Sequence, residues 1–262
     1  MKYFDSHAHY YDGRFEENTE SVDSLIGALL SSSVSAIVNV GTSPETSRLA
    51  VKQARNNENM YTAIGIHPYD ANFEIDDMEK ALAEIEELIK NPDSKCVALG
   101  EIGLDYHYDG YDAELQKEYF IRQMSLAERL GVPVVIHDRD AHGDTMEIVR
   151  RFPGVKAVMH SYSGSVEMAE ELIRLGYYIS FSGTLTFKNA RKTPDVAASV
   201  PKDRILIETD APYLTPHPYR GRINHSGYLE YTNARLAEIW GISEEECARI
   251  TDENARRFFN LK

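Results

Sequence analysis

Short runs of apolar and β-branched residues recur along the chain and alternate with longer segments of helical periodicity. Runs of this length and composition predict buried strands. The predicted strands cover residues 2–7, 36–40, 61–66, 96–101, 133–137, 156–160, 177–181 and 204–208. The segments between them predict amphipathic helices, and in residues 114–130 an inner face is expected to contain Leu115, Tyr119, Met124 and Ala127.

Eight strands that alternate with helices predict parallel pairing through right-handed crossovers. Such a sheet is either open and doubly wound or closed into a barrel. No GxGxxG follows the first strand and no GxxxxGK[ST] occurs, so the nucleotide-binding open sheets lose support. The chain has 262 residues, close to the roughly 250 of one (β/α)8 barrel. Without a linker or a break in composition, the sequence predicts an α/β fold, a (β/α)8 TIM barrel, as one domain over residues 1–262.

Histidines and carboxylates fall at the C-terminal ends of these predicted strands. His7 and His9 form an HxH pair, whose side chains project to one face because residues two apart on a strand do so. Glu101, His137 and His160 each close a strand, and Asp210 follows the last strand. Barrels of this type build their active sites at the C-terminal ends of the strands. We therefore expect these side chains to meet at one mouth.

A single histidine at a strand end is more often a hydrogen-bonding residue than a metal ligand, and one HxH is a weak signal. A cluster of this size is different, because burying imidazoles and carboxylates together without cations costs much free energy. The predicted metal ligands are His7, His9, Glu101, His137, His160 and Asp210.

Imidazoles and carboxylates without a thiolate suit Zn, Mn, Ni or Fe, and Mg where water completes the shell. Glu101 can bridge two ions, and ions about 3.5–4 Å apart can share a hydroxide and hold the attacking and leaving oxygens. We expect His7, His9 and Asp210 to hold one ion, and His137 and His160 the other. Asp210 is the best candidate for the general base. The sequence predicts metal-assisted hydrolysis with two divalent ions and leaves open whether they are Mg, Mn or Zn.

Composition limits the partners and the compartment. A formal net charge of −14 weighs against a tight, non-specific grip on nucleic acid. The two cysteines, Cys96 and Cys247, form no CxxC motif and favour a reducing compartment. With no secretory leader and no run of about 20 apolar residues, the sequence predicts a cytoplasmic protein without membrane contact. No apolar surface stripe stands out, so a monomer is the default expectation.

Eight short motifs, in order, carry a family resemblance. They are FDSHAH at 4–9, GIHP at 65–68, GEIGLDY at 100–106, PVVIHDRDAH at 133–142, HSYSG at 160–164, TFKNA at 186–190, ETDAPYLTP at 208–216 and NARRFF at 254–259. The chain resembles the TatD family of metal-dependent deoxyribonucleases, within the amidohydrolase-like superfamily. The resemblance implies the same ligand set, with Glu101 where other superfamily members use a carboxylated lysine. It also implies a phosphodiesterase acting on DNA as a 3′→5′ exonuclease.

Further positions have one functional and one structural interpretation each. His67 in GIHP can donate to a substrate phosphate or leaving group, or be a rim histidine fixed by Pro68. Substrate-binding candidates are the loop cations Arg139, Lys188, Arg220 and Arg222, each of which can equally be solvated. Tyr162, Phe187 and Tyr213 can stack on bases, although packing is the more usual role. We expect His107, His142 and His217 to be incidental.

The late loop departs from the family pattern RGxxNEP, because residues 220–226 end in His225 and Ser226. This change puts substrate preference or loop rigidity in doubt. Within enzymes, the alternative function is hydrolysis of a small ester, amide or acylated nucleic acid by the same dinuclear centre. Cations clustered at the mouth would favour the phosphodiester. A barrel kept only for binding predicts a broken ligand set, whereas all the ligand positions are present.

Overall fold

The computed structural model describes residues 1–18 and 21–262. Eight parallel strands pair in sequence order, each with the next. The strands are β1 (Tyr3–Ala8), β2 (Val34–Val40), β3 (Met60–Ile64), β4 (Cys96–Asp105), β5 (Val134–Arg139), β6 (Ala157–Met159), β7 (Tyr178–Phe181) and β8 (Ile205–Ile207). At the remaining seam Ala8 bridges Ala211, and the His9 N–H donates to the Ala211 carbonyl over 2.7 Å. The sheet is thus a nearly closed barrel, as predicted.

Helices alternate with the strands on the outside of the barrel. They are α1 (Gly13–Asn18), α2 (Val22–Ser32), α3 (Pro44–Asn56), α4 (Pro68–Phe73), α5 (Met78–Lys90), α6 (Ala113–Leu130), α7 (His142–Val149), α8 (Val166–Arg174), α9 (Lys192–Ser199), α10 (Leu229–Trp240) and α11 (Glu244–Phe258). On α6 the predicted inner residues Tyr119, Met124 and Ala127 are buried, and Leu115 is half-buried. No helix among the described residues is long and apolar enough to cross a membrane.

The barrel interior is apolar at its N-terminal end. Each strand contributes at least one apolar side chain to a single cluster, which also contains Phe258 and Phe259 of the C-terminal segment. The end of α11 lies under this cluster, where the Arg257 carbonyl accepts from Lys156 just before β6 and its guanidinium donates to the Asp203 carbonyl just before β8. The apolar cluster closes this end, so the mouth at the C-terminal ends of the strands is where solvent reaches the interior.

Strand β4 is longer than predicted. It continues past Glu101 to Asp105, because residues 102–105 pair with residues 136–139 of β5. Gly103 permits this close pairing: a Cβ there would lie 1.9 Å from the His137 carbonyl oxygen, and its φ is +144°. Glu101 therefore lies inside the strand, and the extra residues bring Asp105 to the mouth.

Candidate metal centre

Glu101 lies between two groups of imidazoles. Its Oε2 is 3.4 Å from His7 Nε2 and 3.8 Å from His9 Nε2. Its Oε1 is 2.8 Å from both His137 Nδ1 and His160 Nε2. The carboxylate is 3% exposed, so it has little access to water. Each oxygen faces its own set of nitrogen ligands, which is the arrangement of a bridging carboxylate.

The first cluster consists of His7, His9 and Asp210. The Nε2 atoms of the two imidazoles are 3.1 Å apart, and Asp210 Oδ1 lies 3.4 Å from His9 Nε2 and 3.7 Å from His7 Nε2. Asp210 has a left-handed backbone with φ +58°, held by donation from its N–H to the His7 carbonyl over 2.9 Å. Such strain concentrates at functional sites. Here it brings the Asp210 carboxylate, which follows β8, close to the imidazoles at the end of β1.

The second cluster consists of His137 and His160, and a buried carboxylate supports each imidazole. His137 Nε2 is 3.1 Å from Asp105 Oδ2, and His160 Nδ1 is 3.0 Å from Glu208 Oε1. Carboxylates behind ligating imidazoles fix the ring and raise its basicity. The sequence-based reasoning missed Asp105 and Glu208. The feature of the sequence that could have identified them is an acidic residue within each of the motifs GEIGLDY and ETDAPYLTP. In the structure the residues next to both carboxylates are buried.

The charges in the centre are strongly coupled. Burial alone would raise the pKa of Glu101, but the surrounding imidazoles hold it well below its usual range. Burial alone would lower the pKa of His137, but hydrogen bonds with Asp105 and Glu101 raise it to about 9. His160 behaves alike, because Glu101 and Glu208 raise its pKa well above the usual value. The carboxylates thus keep protons on these imidazoles, and a cation can replace them.

The donor set fits divalent cations. Two groups of potential ligand atoms combine Glu101 with imidazoles: His7 and His9 on one side, His137 and His160 on the other. Nitrogen and oxygen donors without sulfur suit Zn, Mn or Mg with water. The 3.1 Å contact between two Nε2 atoms leaves room for at most one proton, so both lone pairs are better satisfied by a shared cation. Geometry and chemistry together support use of a divalent metal.

A cavity of about 510 Å³ opens above the centre. Among its lining residues, His67 has Nε2 3.9 Å from Glu101 Oε1, and its Nδ1 accepts the Tyr69 N–H over 3.0 Å. Because Nδ1 is an acceptor, the neutral ring carries its proton on Nε2. Burial and the nearby His137 lower the pKa of His67 to about 3. His67 therefore presents a neutral N–H at the mouth.

The predicted substrate-binding cations do not all meet at the cavity. Arg139 is among the described lining residues, whereas Lys188, Arg220 and Arg222 are not. Arg220 lies 3.8 Å from the centroid of the Phe187 ring and Arg222 5.2 Å from that of Tyr219, on the loops after β7 and β8. Arg14 and Asp70, which the sequence-based reasoning did not select, line the cavity as well.

The other aromatic and histidine candidates have ordinary partners. Tyr162 is buried and donates to the Ser165 carbonyl over 2.7 Å, while Tyr213 lines the cavity. His107 lies 3.1 Å from Asp140, and His142 lies 2.7 Å from Asp138. The His217 N–H donates to Thr186. Of this set, Tyr213 alone is among the described lining residues of the cavity.

The departure in the late loop is anchored by a buried polar network. Ser226 Oγ donates to Asp5 Oδ2 over 2.6 Å, and the Ser226 N–H donates to the Tyr10 hydroxyl over 2.9 Å. Proline at this position would lack that N–H. Asp5 also accepts from the Thr209 N–H and hydroxyl; burial raises the pKa of Asp5 to about 6 although these bonds oppose it. The loop is thus tied to β1 two residues before His7.

A family comparison agrees with this geometry. The sequence profile of a family described as TatD related DNase matches residues 4–260. The chain belongs to the TatD family. Among curated relatives, this TatD chain is 41% identical to a metal-dependent hydrolase, YabD, of Bacillus subtilis over 260 residues, covering 98% of this chain and 99% of the relative. It is 33% identical to a metal-dependent hydrolase, YcfH, of Escherichia coli over 261 residues, covering 98% and 95%.

Solved structures show the same fold. YjjV, a TatD homologue of Escherichia coli, superposes with a TM-score of 0.89 at 30% identity, covering 99% of this chain and 98% of that one. A TatD family hydrolase of Entamoeba histolytica gives 0.85 at 21% identity, covering 98% of both chains, and supports the fold alone. The predicted family and barrel are confirmed, and so is the coarser functional prediction of a metal-dependent hydrolase of the TatD family.

Proposed function

We propose that this TatD chain is a phosphodiesterase that removes nucleotides from the 3′ end of DNA, with two divalent ions at the centre. The observation that carries the proposal is the position of Glu101, whose Oε2 faces His7 and His9 while Oε1 contacts His137 and His160. Paired sites of this kind suit in-line displacement at phosphorus. The preference for DNA and the 3′→5′ direction rest on the family resemblance.

The ligands divide between the two ions as the distances suggest. The first cluster with Glu101 Oε2 would hold one ion, and the second cluster with Glu101 Oε1 would hold the other. Divalent ions supply Lewis acidity: they lower the pKa of bound water and neutralise charge on phosphoryl oxygens. The remaining chemistry belongs to side chains of the cavity.

Asp210 would accept the proton of the attacking water. Burial alone would raise the pKa of this carboxyl, but the hydrogen bond with His9 and the charges of His160 and His7 hold it below its usual value. The carboxylate is therefore ionised at neutral pH and able to take a proton.

His67 and the cavity arginines would act on the phosphate. The Nε2–H of His67 is placed to donate to a phosphoryl or leaving oxygen without carrying a charge. Arg139 and Arg14 line the same cavity, and a guanidinium can bind two phosphate oxygens at once. These groups would orient the diester so that the leaving oxygen lies away from Asp210.

The test uses metal-stripped protein with single-stranded DNA labelled at either end, and adds back Mg, Mn or Zn. We expect stepwise shortening from the 3′ end that requires a divalent ion and is lost in Asp210→Asn. Asp203→Asn is the matched control, because Asp203 is exposed, lies just before β8 at the end of the barrel opposite the mouth, and is not among the described lining residues. Absence of DNA cleavage with any ion, despite measured metal uptake, would overturn the DNA assignment.

A second candidate function is hydrolysis of a small ester, amide or acylated nucleic acid. It is favoured by the net charge of −14 and by the position of Lys188, Arg220 and Arg222, which are not among the described residues lining the cavity. Turnover of p-nitrophenyl acetate without cleavage of DNA or of bis(p-nitrophenyl) phosphate would support this alternative.

A further inference from the structure

Exposed aromatic side chains are concentrated at the mouth of the barrel. Among the described residues, the tyrosines and phenylalanines with the largest exposed fractions are Tyr69, Phe73, Tyr108, Tyr111 and Tyr213, at 38–42%. Isolated apolar residues on a surface need no explanation, but contiguous ones mark a binding surface. Four of them, Tyr69, Phe73, Tyr108 and Tyr111, belong to α4 and the loop after β4, and we call them the aromatic ridge.

The rings of the aromatic ridge contact one another or a neighbouring tyrosine. The Tyr69 centroid lies 5.1 Å from that of Tyr108 and 5.0 Å from that of Phe73. Tyr111 stacks on Tyr106 with centroids 4.7 Å apart and planes 10° apart. The guanidinium carbon of Arg139 lies 5.5 Å from the Tyr108 centroid. Tyr108, Tyr69 and Phe73 thus form one strip of ring contacts, with interplanar angles of 71° and 51°. Tyr111 lies on the same loop as Tyr108.

Hydrogen bonds fix the two elements that carry the ridge. The Asn72 side chain joins α4 to the loop after β4, since its Oδ1 accepts the Asp112 N–H and its Nδ2 lies 3.5 Å from the Gly110 carbonyl. The Tyr106 hydroxyl donates to Asp144 over 2.8 Å and holds the ring beneath Tyr111. A platform held in this way binds a flat ligand with little additional loss of conformational entropy.

The ridge is continuous with the metal centre. Tyr69 and Tyr108 line the cavity that contains the ligands, and Phe73 contacts Tyr69 on the next turn of α4. The acidic residues Asp109 and Asp140 lie in the adjoining loops, so the strip is poorly suited to phosphate groups. Nucleobases, in contrast, stack on aromatic faces without any need for positive charge.

We propose that the aromatic ridge is a stacking subsite for the unpaired bases of a single strand whose end lies at the metal centre. This inference rests on the proposed phosphodiesterase function. It implies that recognition beyond the scissile phosphate comes from base faces, with Arg139 as the cation at the inner end of the strip.

The test compares an octathymidylate with bis(p-nitrophenyl) phosphate, a small diester that carries no nucleobase. Phe73 is not among the described residues that line the cavity. The readout is the ratio of kcat/KM for the two substrates in metal-loaded protein. We expect Phe73→Ala and Phe73→Leu to lower this ratio about tenfold through KM, the effect of one lost stacking contact, and Phe73→Trp to keep it. The matched control is Leu49→Ala on α3, since Leu49 and Phe73 are both 42% exposed; we expect the wild-type ratio.

Two further measurements separate stacking from charge and from the reaction itself. The association constant of the octamer for Asp210→Asn is measured by fluorescence anisotropy with the divalent ion present. Its logarithm should fall with the logarithm of the salt concentration at a slope of about −0.7, the value for one phosphate contact. Replacing the bases next to the scissile nucleotide by abasic sites should weaken this binding as Phe73→Ala does. A slope several times steeper would contradict a base-driven subsite.

The measurements distinguish a wrong assignment of the aromatic ridge from a wrong assignment of the phosphodiesterase function. An unchanged ratio in Phe73→Ala, with both substrates cleaved, would overturn the ridge alone. A normal ratio in Phe73→Leu beside a lowered one in Phe73→Ala would also overturn stacking and indicate an apolar partner instead. If wild-type protein cleaves neither substrate, the proposed function falls, and octamer binding to Asp210→Asn still decides whether bases occupy the ridge.

Discussion

The two halves of the metal centre contain similar imidazoles but are supported differently. In the second cluster a buried carboxylate lies behind each ring, Asp105 behind His137 and Glu208 behind His160, at 3.1 and 3.0 Å. In the first cluster the His9 Nδ1 meets only neutral oxygens, with the Val40 carbonyl at 2.7 Å. The His7 Nδ1 is buried without a hydrogen-bond partner among the described residues.

This difference in hydrogen bonding predicts different metal affinities for the two clusters. Rings backed by carboxylates are more basic and more rigid ligands, so the second cluster should hold its ion more tightly. The first cluster holds Asp210, our candidate proton acceptor, and has less support for its imidazoles. We expect its ion to be the more weakly bound of the two. The following predictions would break or sharpen this comparison.

The largest effect is expected where both halves meet. Glu101→Gln removes the charge shared by the two clusters, so it should reduce turnover and the affinity for both ions by more than the roughly 100-fold of an outer-shell change. Metal content by mass spectrometry and turnover of a phosphodiester measure this. Glu114→Gln, a change at a side chain that is 86% exposed, is the matched control. Near wild-type uptake of both ions would exclude a bridging role.

The next effect should be confined to one half. Glu208→Gln and Asp105→Asn should each weaken the more tightly bound ion about 10- to 100-fold, the usual effect of losing a carboxylate behind an imidazole. Calorimetric titration resolves the two binding events. Equal weakening of both ions would mean that these carboxylates act through the fold and not through one cluster.

The pH dependence of metal affinity should also differ between the two clusters. In the metal-free protein the pKa of His137 is about 9 and that of His160 is well above its usual value, so both rings carry protons at neutral pH. Cations must displace those protons, and the affinity of the second cluster should fall as pH is lowered below about 9, by up to tenfold per unit for each proton. In the first cluster, burial and the charge of His160 lower the pKa of His7, whereas the contacts with Asp210 and Glu101 outweigh burial and raise the pKa of His9. Protons therefore compete at one imidazole of the first cluster and at both imidazoles of the second. Titrations in buffers of different ionisation enthalpy count the released protons.

The smallest effect is expected at Tyr11. Its hydroxyl lies 3.1 Å from His9 Nδ1, but the single proton on that nitrogen is already directed to the Val40 carbonyl at 2.7 Å. Tyr11→Phe should therefore change the affinity for either ion by less than about threefold, far below the effect of a carboxylate behind a ring. A larger loss by calorimetry would show that the first cluster depends on an outer partner after all.

The barrel could be predicted from the sequence because eight predicted strands recur along the chain, and the segments between them are long enough for one helical crossover each. It also selected the strand-end histidines, since their positions follow from the strand pattern. It did not select Asp105 or Glu208. Asp105 reaches the mouth through the extra pairing of β4 with β5, and Glu208 acts through its contact with His160, 48 residues away in sequence. Neither feature has a periodic signal.

The loops of the mouth were the least predictable part. Arg139 was selected and lines the cavity, but Arg220 and Arg222 stack on aromatic rings outside its described lining. Arg14 was not selected and does line the cavity. Side chains at the mouth are positioned by contacts between distant segments, such as that of Arg14 in α1 with the Tyr213 ring, whose centroid lies 4.4 Å from the guanidinium carbon. Charge patterning along the chain carries no information about such contacts.

The position of the first cluster at the seam of the barrel couples its metal binding to closure of the barrel. Its ligands come from both sides of the junction where β1 meets the segment after β8, whereas His137 lies on β5 and His160 directly follows the adjacent strand β6. An ion bound by His7, His9 and Asp210 would therefore hold the first strand against the segment after the last. Its binding would stabilise only the closed barrel. Opening of this junction and release of that ion are then one thermodynamic event. The amide hydrogens of His9 and Asp210, which donate across this junction, should exchange with solvent more slowly as the ion concentration rises.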